Sequence, residues 1–207
     1  MRGVKLYIEL FLYSIFKWAE ALKIVADSRC FHVHRLSRSW LLVLVLAVPA
    51  WADWHPGLPN GRLVGSGDFT WFGVSLYTAR LWSPGLPLTW DQPFALELTY
   101  HRVFSRDTLV EASLKEMRRM AEARPDESTL QRWSGEMRGA FVDVRPGMRI
   151  TGLYHPGKGC TFFVDGQLRR RVEDPAFARA FFDIWLGPRT RDKLLRQQLL
   201  GMSAPAD

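Results

Sequence analysis

The sequence predicts an α+β fold, an antiparallel sheet with helices packed on one face. Three observations predict it. Residues 68–73 and 94–101 alternate apolar and polar side chains with the two-residue period of strands, and 74–82 is rich in β-favouring residues. The period lengthens to that of helices between Thr108 and Phe141. Strand signals then return at 148–172 and helical ones after Asp174. Strands and helices therefore come in blocks, and such blocks disfavour a parallel βαβ sheet.

The elements follow in order. Trp54 to Gly61 holds two Pro and two Gly and reads as an irregular entry loop. Phe69, Trp71 and Gly73 alternate with Asp68 and Thr70, and Val74–Trp82 is rich in β-favouring residues. Pro84, Gly85 and Pro87 end that run. In 94–101, Phe94, Leu96, Leu98 and Tyr100 share one face and Glu97, Thr99 and His101 the other. Thr108 with Glu111 forms a capping box ahead of Val110, Leu114, Met117 and Ala121. Ser128 with Gln131 forms a second, ahead of Leu130, Trp133, Met137 and Phe141. Strands are expected at Met148–Tyr154, Cys160–Val164 and Gln167–Val172, the last two joined by a tight Asp165-Gly166 turn. Asp174 caps a third helix with Pro175 at its first position and Phe177, Phe181, Ile184 and Trp185 as its buried stripe. Gly187-Pro188 stops it, and Thr190 opens a short helix bearing Leu194, Leu195 and Leu199.

Ahead of this domain stands an export leader. Arg35 and Arg38 precede the apolar run Trp40–Val48, Pro49 breaks it, and Ala50-Trp51-Ala52 places small residues where signal peptidase reads. The run is shorter than the ~20 residues that span a bilayer. The expected organisation is an untranslated or disordered extension at 1–34, a signal peptide at 35–52 and one domain at 53–207, delivered to the periplasm. Translation from a codon at Val33 would give a leader of ordinary length. The membrane is thus a partner during export only.

Charge and motifs exclude several functions. The 207 residues carry a formal charge of +7, but residues 1–52 hold seven of the 28 basic and three of the 21 acidic groups, leaving 21 and 18. A domain near +3 with scattered cations does not read as a nucleic-acid binder. Arg169-Arg170-Arg171 reads as a solvated strand beside a turn. His55, His101 and His155 lack metal-ligand spacing. Gly157-Lys158-Gly159 lacks the frame of a phosphate loop. Removal of Cys30 with the leader leaves Cys160 alone at the head of an apolar strand, a small hydrophobe rather than a nucleophile. No catalytic residue, metal site or cofactor is assigned. The informative set is aromatic: Trp71, Tyr77, Trp82 and Tyr100 on strands, Trp133, Phe181 and Trp185 on helices. It fills a core or lines a partly open apolar cleft.

Gly65-Ser66-Gly67 followed by Gly73–Trp82, and Phe177-x-x-x-Phe181-Phe182-x-Ile184-Trp185-Leu186-Gly187-Pro188-x-Thr190 followed by Leu195-x-x-x-Leu199-Leu200-Gly201, resemble the opening strands and closing helices of the chalcone isomerase superfamily. The resemblance covers about residues 60–201 and is greatest to an exported bacterial branch. It implies an open-faced β-sandwich. Where the enzymes carry an arginine after the first Gly-x-Gly, this chain has Asp68-Phe69. Their strand threonine falls near Tyr77, and their tyrosine and asparagine near Thr108 and Ser113. Without that cation a developing enolate goes unstabilised. The resemblance then implies a non-catalytic binder of an apolar small molecule such as a fatty acid. Phe69, Trp71, Tyr77 and Tyr100 would line its site, with Arg80 as a cation at the mouth or else in a surface ion pair. A cofactor-independent intramolecular lyase or isomerase with a rearranged site, and a periplasmic protein-interaction module, are the alternatives.

Overall fold

A computed structural model describes residues 55–121 and 125–202, which lie in one unit bounded by Val48 and Asp207. The leader and its cleavage point fall outside the described residues. Six strands, β1 (Arg62–Trp71), β2 (Val74–Ser83), β3 (Phe94–Tyr100), β4 (Arg149–His155), β5 (Gly159–Val164) and β6 (Gln167–Val172), form one antiparallel sheet in the order β1-β2-β3-β4-β5-β6. Four helices accompany it: α1 (Arg106–Met120), α2 (Glu127–Ala140), α3 (Pro175–Leu186) and α4 (Lys193–Leu199). Helix α4 packs on β1, α3 on β5 and α2 on β6, while α1 lies against α2 and α3. All three sheet-contacting helices share one face, as the block pattern predicts.

Alternation fixes that face. Ala79 and Leu81 of β2, Phe94, Leu96, Leu98 and Tyr100 of β3, Ile150 and Tyr154 of β4, and Cys160 and Phe162 of β5 are buried with Val110, Met117, Trp133, Met137, Phe177, Phe181, Phe182 and Trp185 of the helices. The intervening residues Thr78, Arg80, Glu97, Thr99, Arg149 and Thr151 face the other way. The helix face is a hydrophobic core, and burial of its rings is the main force holding the layers together.

The Gly65-Ser66-Gly67 pair has a packing cause. A Cβ on Gly65 would sit 1.9 Å from the Gln198 carbonyl oxygen, and one on Gly67 would sit 2.8 Å from Leu195 Cδ1. Glycine there lets α4 lie directly on the backbone of β1.

Three helix starts differ from expectation. α1 is capped by Ser105, whose Oγ accepts from Thr108 N at 3.1 Å, not by Thr108. α2 is capped by Asp126, which accepts from Thr129 N at 2.6 Å, not by Ser128. α4 is capped by Asp192 rather than Thr190, whose hydroxyl instead donates to Ile184 O at 2.7 Å. In each case an acceptor of equal or greater strength stands two or three residues from the expected cap. At α3 the Asp174–Pro175 start stands as read, and Asp174 also accepts from Trp133 Nε1 at 3.0 Å, tying α2 to α3. Asp165-Gly166 turns with φ of 48° and 80°, as the hairpin reading requires.

The other sheet face is not bare throughout. The entry segment, with a 3-10 turn at His55–Gly57, lays Leu58 on Ala95 and Leu153 beside Trp82 and Phe163.

Candidate functional site

Four of the five expected site residues come together. Phe69 stacks on Tyr77 with centroids 5.1 Å apart, and Trp71 continues the stack beyond Phe69 at 6.5 Å. Tyr77 and Tyr100 face each other in register across β2 and β3, their rings 6.1 Å apart edge to face. Phe104, just past β3, extends the row at 6.0 Å from Tyr100. Sequence reading missed Phe104 because it lies in a connection; the isolated bridge between Phe104 and Val144 places it. The row crosses three strands on the helix face and is closed from above by α3, where Trp185 Nε1 donates to the Tyr77 hydroxyl oxygen at 3.0 Å.

The fifth residue, Arg80, is not there. Strand parity sends it through to the opposite face, because Tyr77 and Arg80 are three positions apart on β2. The expectation of a cation at the mouth of the aromatic site is corrected accordingly. Arg80 pairs instead with Glu97 at 3.6 Å, and Arg149 approaches the same carboxylate at 3.7 Å. Glu97 is 5% exposed although it lies on the uncovered face, since the two guanidiniums screen it. Alongside, the Thr78 hydroxyl donates to Asp68 and lies 2.8 Å from His101 Nε2. Thr78 has one hydroxyl hydrogen, so with that hydrogen on Asp68 the contact requires Nε2–H on His101. None of these polar groups was legible as a cluster in sequence, though the two-residue spacing of Thr78 and Arg80, and of Glu97 and Thr99, already aligned them.

The electrostatics of the aromatic row are those of a neutral, apolar place. Burial pushes the Tyr77 hydroxyl well above the ordinary tyrosine range, against the lowering effect of the Trp185 hydrogen bond; the charges of Asp192 and Glu116 push it further. Burial likewise raises Tyr100, with Tyr77 adding to the shift. Neither ring is a proton acceptor at neutral pH. The Tyr77 hydroxyl hydrogen and the Tyr100 hydroxyl have no hydrogen-bond acceptor among the described residues.

The positions that would carry isomerase chemistry are occupied by other roles. Phe69 is an apolar ring with no donor. Thr108 Oγ1 lies 2.8 Å from Ser105 Oγ at the start of α1. The Ser113 hydroxyl donates back to Leu109 O at 2.8 Å. Cys160 is buried, and burial raises its thiol far above the usual range, so it is no nucleophile. Among the described residues no cluster of His, Cys, Asp and Glu could hold a metal ion. A groove of about 510 Å³ at the β1 edge is lined by Ser66, Asp68, Thr78, Asp192 and Gln198 with Leu194 and Leu195. It is polar and acidic, and it lies outside the aromatic row.

Comparisons with known proteins agree with this architecture. The chain is similar to a crystal structure described as a fatty-acid binding protein of Arabidopsis thaliana, with a TM-score of 0.56 and 13% identity over 69% of this chain and 87% of that one. At that identity the likeness speaks to fold alone. No curated protein matches the chain. A family model described as chalcone isomerase-like matches residues 69–201. That span runs from the Phe69 ring of the aromatic row to the end of α4, takes in well over half of the chain, and shows that it belongs to the chalcone isomerase-like family.

Proposed function

We propose that this domain is an exported, non-catalytic binder of an apolar small molecule, with a fatty acid as the ligand class, held on the helix face at the Tyr77–Tyr100 row. The observation that carries the reading is the pair of facing tyrosines whose hydroxyl hydrogens are uncommitted inside an aromatic layer. A phenolic hydroxyl set among rings with no protein acceptor is a donor that a bound oxygen would satisfy. Phe69 and Tyr77 are half-buried and Trp71 is exposed, so the row opens toward the β1–β2 turn, which gives an acyl chain its way in. The fold shared with a fatty-acid binding protein supports the same reading by analogy.

Against isomerisation stands the chemistry of the row: a developing enolate would meet phenyl and neutral phenol groups, with Arg80 on the far side of the sheet. Export rests on the order of charge, apolar run and Ala50-Trp51-Ala52 in the sequence. Titration with a fluorescent fatty acid tests the binder, and chalcone turnover tests the enzyme. Saturable binding with no turnover above the spontaneous rate is expected. Turnover well above it contradicts the reading, and no binding of any apolar acid transfers the fold to protein interaction. N-terminal sequencing of exported protein should read Asp-Trp-His-Pro; an intact leader contradicts cleavage.

A further inference from the structure

The turn between β1 and β2 breaks a local rule. Phe72 and Gly73 form it with φ of 47° and 76°, the left-handed pair that Asn-Gly or Asp-Gly supplies at least strain. Asp165-Gly166 obeys the rule at the far side of the sheet. A bulky aromatic at positive φ is a conformational outlier, and here the ring gains little in return. Phe72 is 73% exposed and touches the exposed Trp71 edge to face at 5.3 Å.

More apolar surface collects at the same end. Val74 is 41% exposed and Val103 68% exposed. Val103 follows the His101 N–H that bonds Leu76 O, which sets its loop beside the start of β2. Arg102 and Arg145 flank this edge. Both are exposed, and neither guanidinium has a carboxylate partner among the described residues. The Gly147 N–H to Tyr100 O bond brings the Arg145 loop against the end of β3. Two acids at this end, Asp143 and Asp165, keep their charge and are turned onto backbone N–H groups of Arg106 and Arg149, both at 2.8 Å. Exposed aromatics ringed by free arginines match the boundary of an anionic bilayer, where rings enter at headgroup depth and guanidiniums meet phosphates.

We propose that the Trp71-Phe72 tip, with Val74, Val103, Arg102 and Arg145, docks the domain on an anionic phospholipid surface. This contact extends the membrane encounter beyond export, and it stands independently of what the aromatic row binds.

Hydrogen–deuterium exchange of the full chain with vesicles tests it, because the readout is local to the tip. Peptides spanning 69–76 and 101–105 should exchange more slowly with phosphatidylglycerol–phosphatidylcholine vesicles than with phosphatidylcholine alone. Phe72→Asn restores the favoured turn residue, so the variant should melt at the wild-type temperature or above. It should nevertheless lose the protection and partition at least about tenfold more weakly. Arg102→Gln and Arg145→Gln should each weaken partition roughly fivefold at low salt. Unchanged exchange in these peptides on anionic vesicles overturns the proposal, whether or not another segment binds the vesicle. Equal protection on neutral vesicles, or undiminished partition by Phe72→Asn, overturns it as well.

Discussion

The two faces of β2 and β3 are built from alternate residues of the same strands, yet they obey different rules. Toward the helices, Ala79, Leu81, Leu96 and Leu98 meet rings and leave no polar atom to satisfy. Away from them, the half-exposed Arg80 pairs with the buried Glu97 and Thr78 contacts Asp68 and His101, while Thr99 Oγ1 is buried without a hydrogen-bond partner. A defect on the first face leaves a void or a clash that nothing fills, whereas one at the half-exposed Arg80 on the second is repaired by hydration. The comparison teaches where the proposed ligand would gain: an acyl chain would meet rings on the helix face, and Arg80 belongs to the other.

The largest effect should come from the lid of the aromatic row. Trp185→Ala removes a ring packed on Phe181 and the donor to Tyr77, and should cost about 3–5 kcal/mol in a thermal or urea melt. A near-native melt would mean that the ring does not close the row. Next stands the β1–α4 contact. Gly65→Ala drives a methyl against the Gln198 carbonyl and should cost about 1–3 kcal/mol, while Gly147→Ala, where a Cβ meets open space, should cost only the strain of its positive φ.

A third difference between the faces is read by alkali. Tyr77 and Tyr100 hold their protons in the folded chain beyond the pH at which they ionise unfolded. Their folded pKa values are raised, so stability should be undiminished below about pH 10 and fall above it, by roughly 1.4 kcal/mol per tyrosine per pH unit. Tyr100→Phe should halve that slope, and an unchanged slope would place its ring in water. The smallest effect belongs to the open face. Arg80→Ala should cost about 1 kcal/mol or less, because Arg80 is half-exposed and Arg149 remains beside the buried Glu97.

The contrast between faces also explains what was legible in sequence. The period of two in 94–100 predicted which side of β3 is core, and the stripe Phe177, Phe181, Trp185 predicted the buried side of α3, because periodicity reports burial directly. Caps were less legible. Ser105 and Thr108, or Asp126 and Ser128, are rival acceptors within one turn, and the winner depends on where the preceding strand or loop delivers the chain. The grouping of Phe69, Trp71, Tyr77 and Tyr100 could be read from strand adjacency. The misplacement of Arg80 came from ignoring parity within its own strand: a residue three along from Tyr77 cannot share its face. Phe104 and the triad around Glu97 depend on pairings between distant segments, which no local pattern encodes.

The account turns on which face holds the ligand, and one titration addresses it. A fluorescent fatty acid is titrated into wild type, Tyr77→Phe/Tyr100→Phe and Arg80→Ala, with each fold checked by its melt. We predict that loss of the two hydroxyls weakens binding by about tenfold, while Arg80→Ala leaves the affinity of wild type. Affinity unchanged in the double variant and lost in Arg80→Ala would put the ligand on the open face and contradict the account.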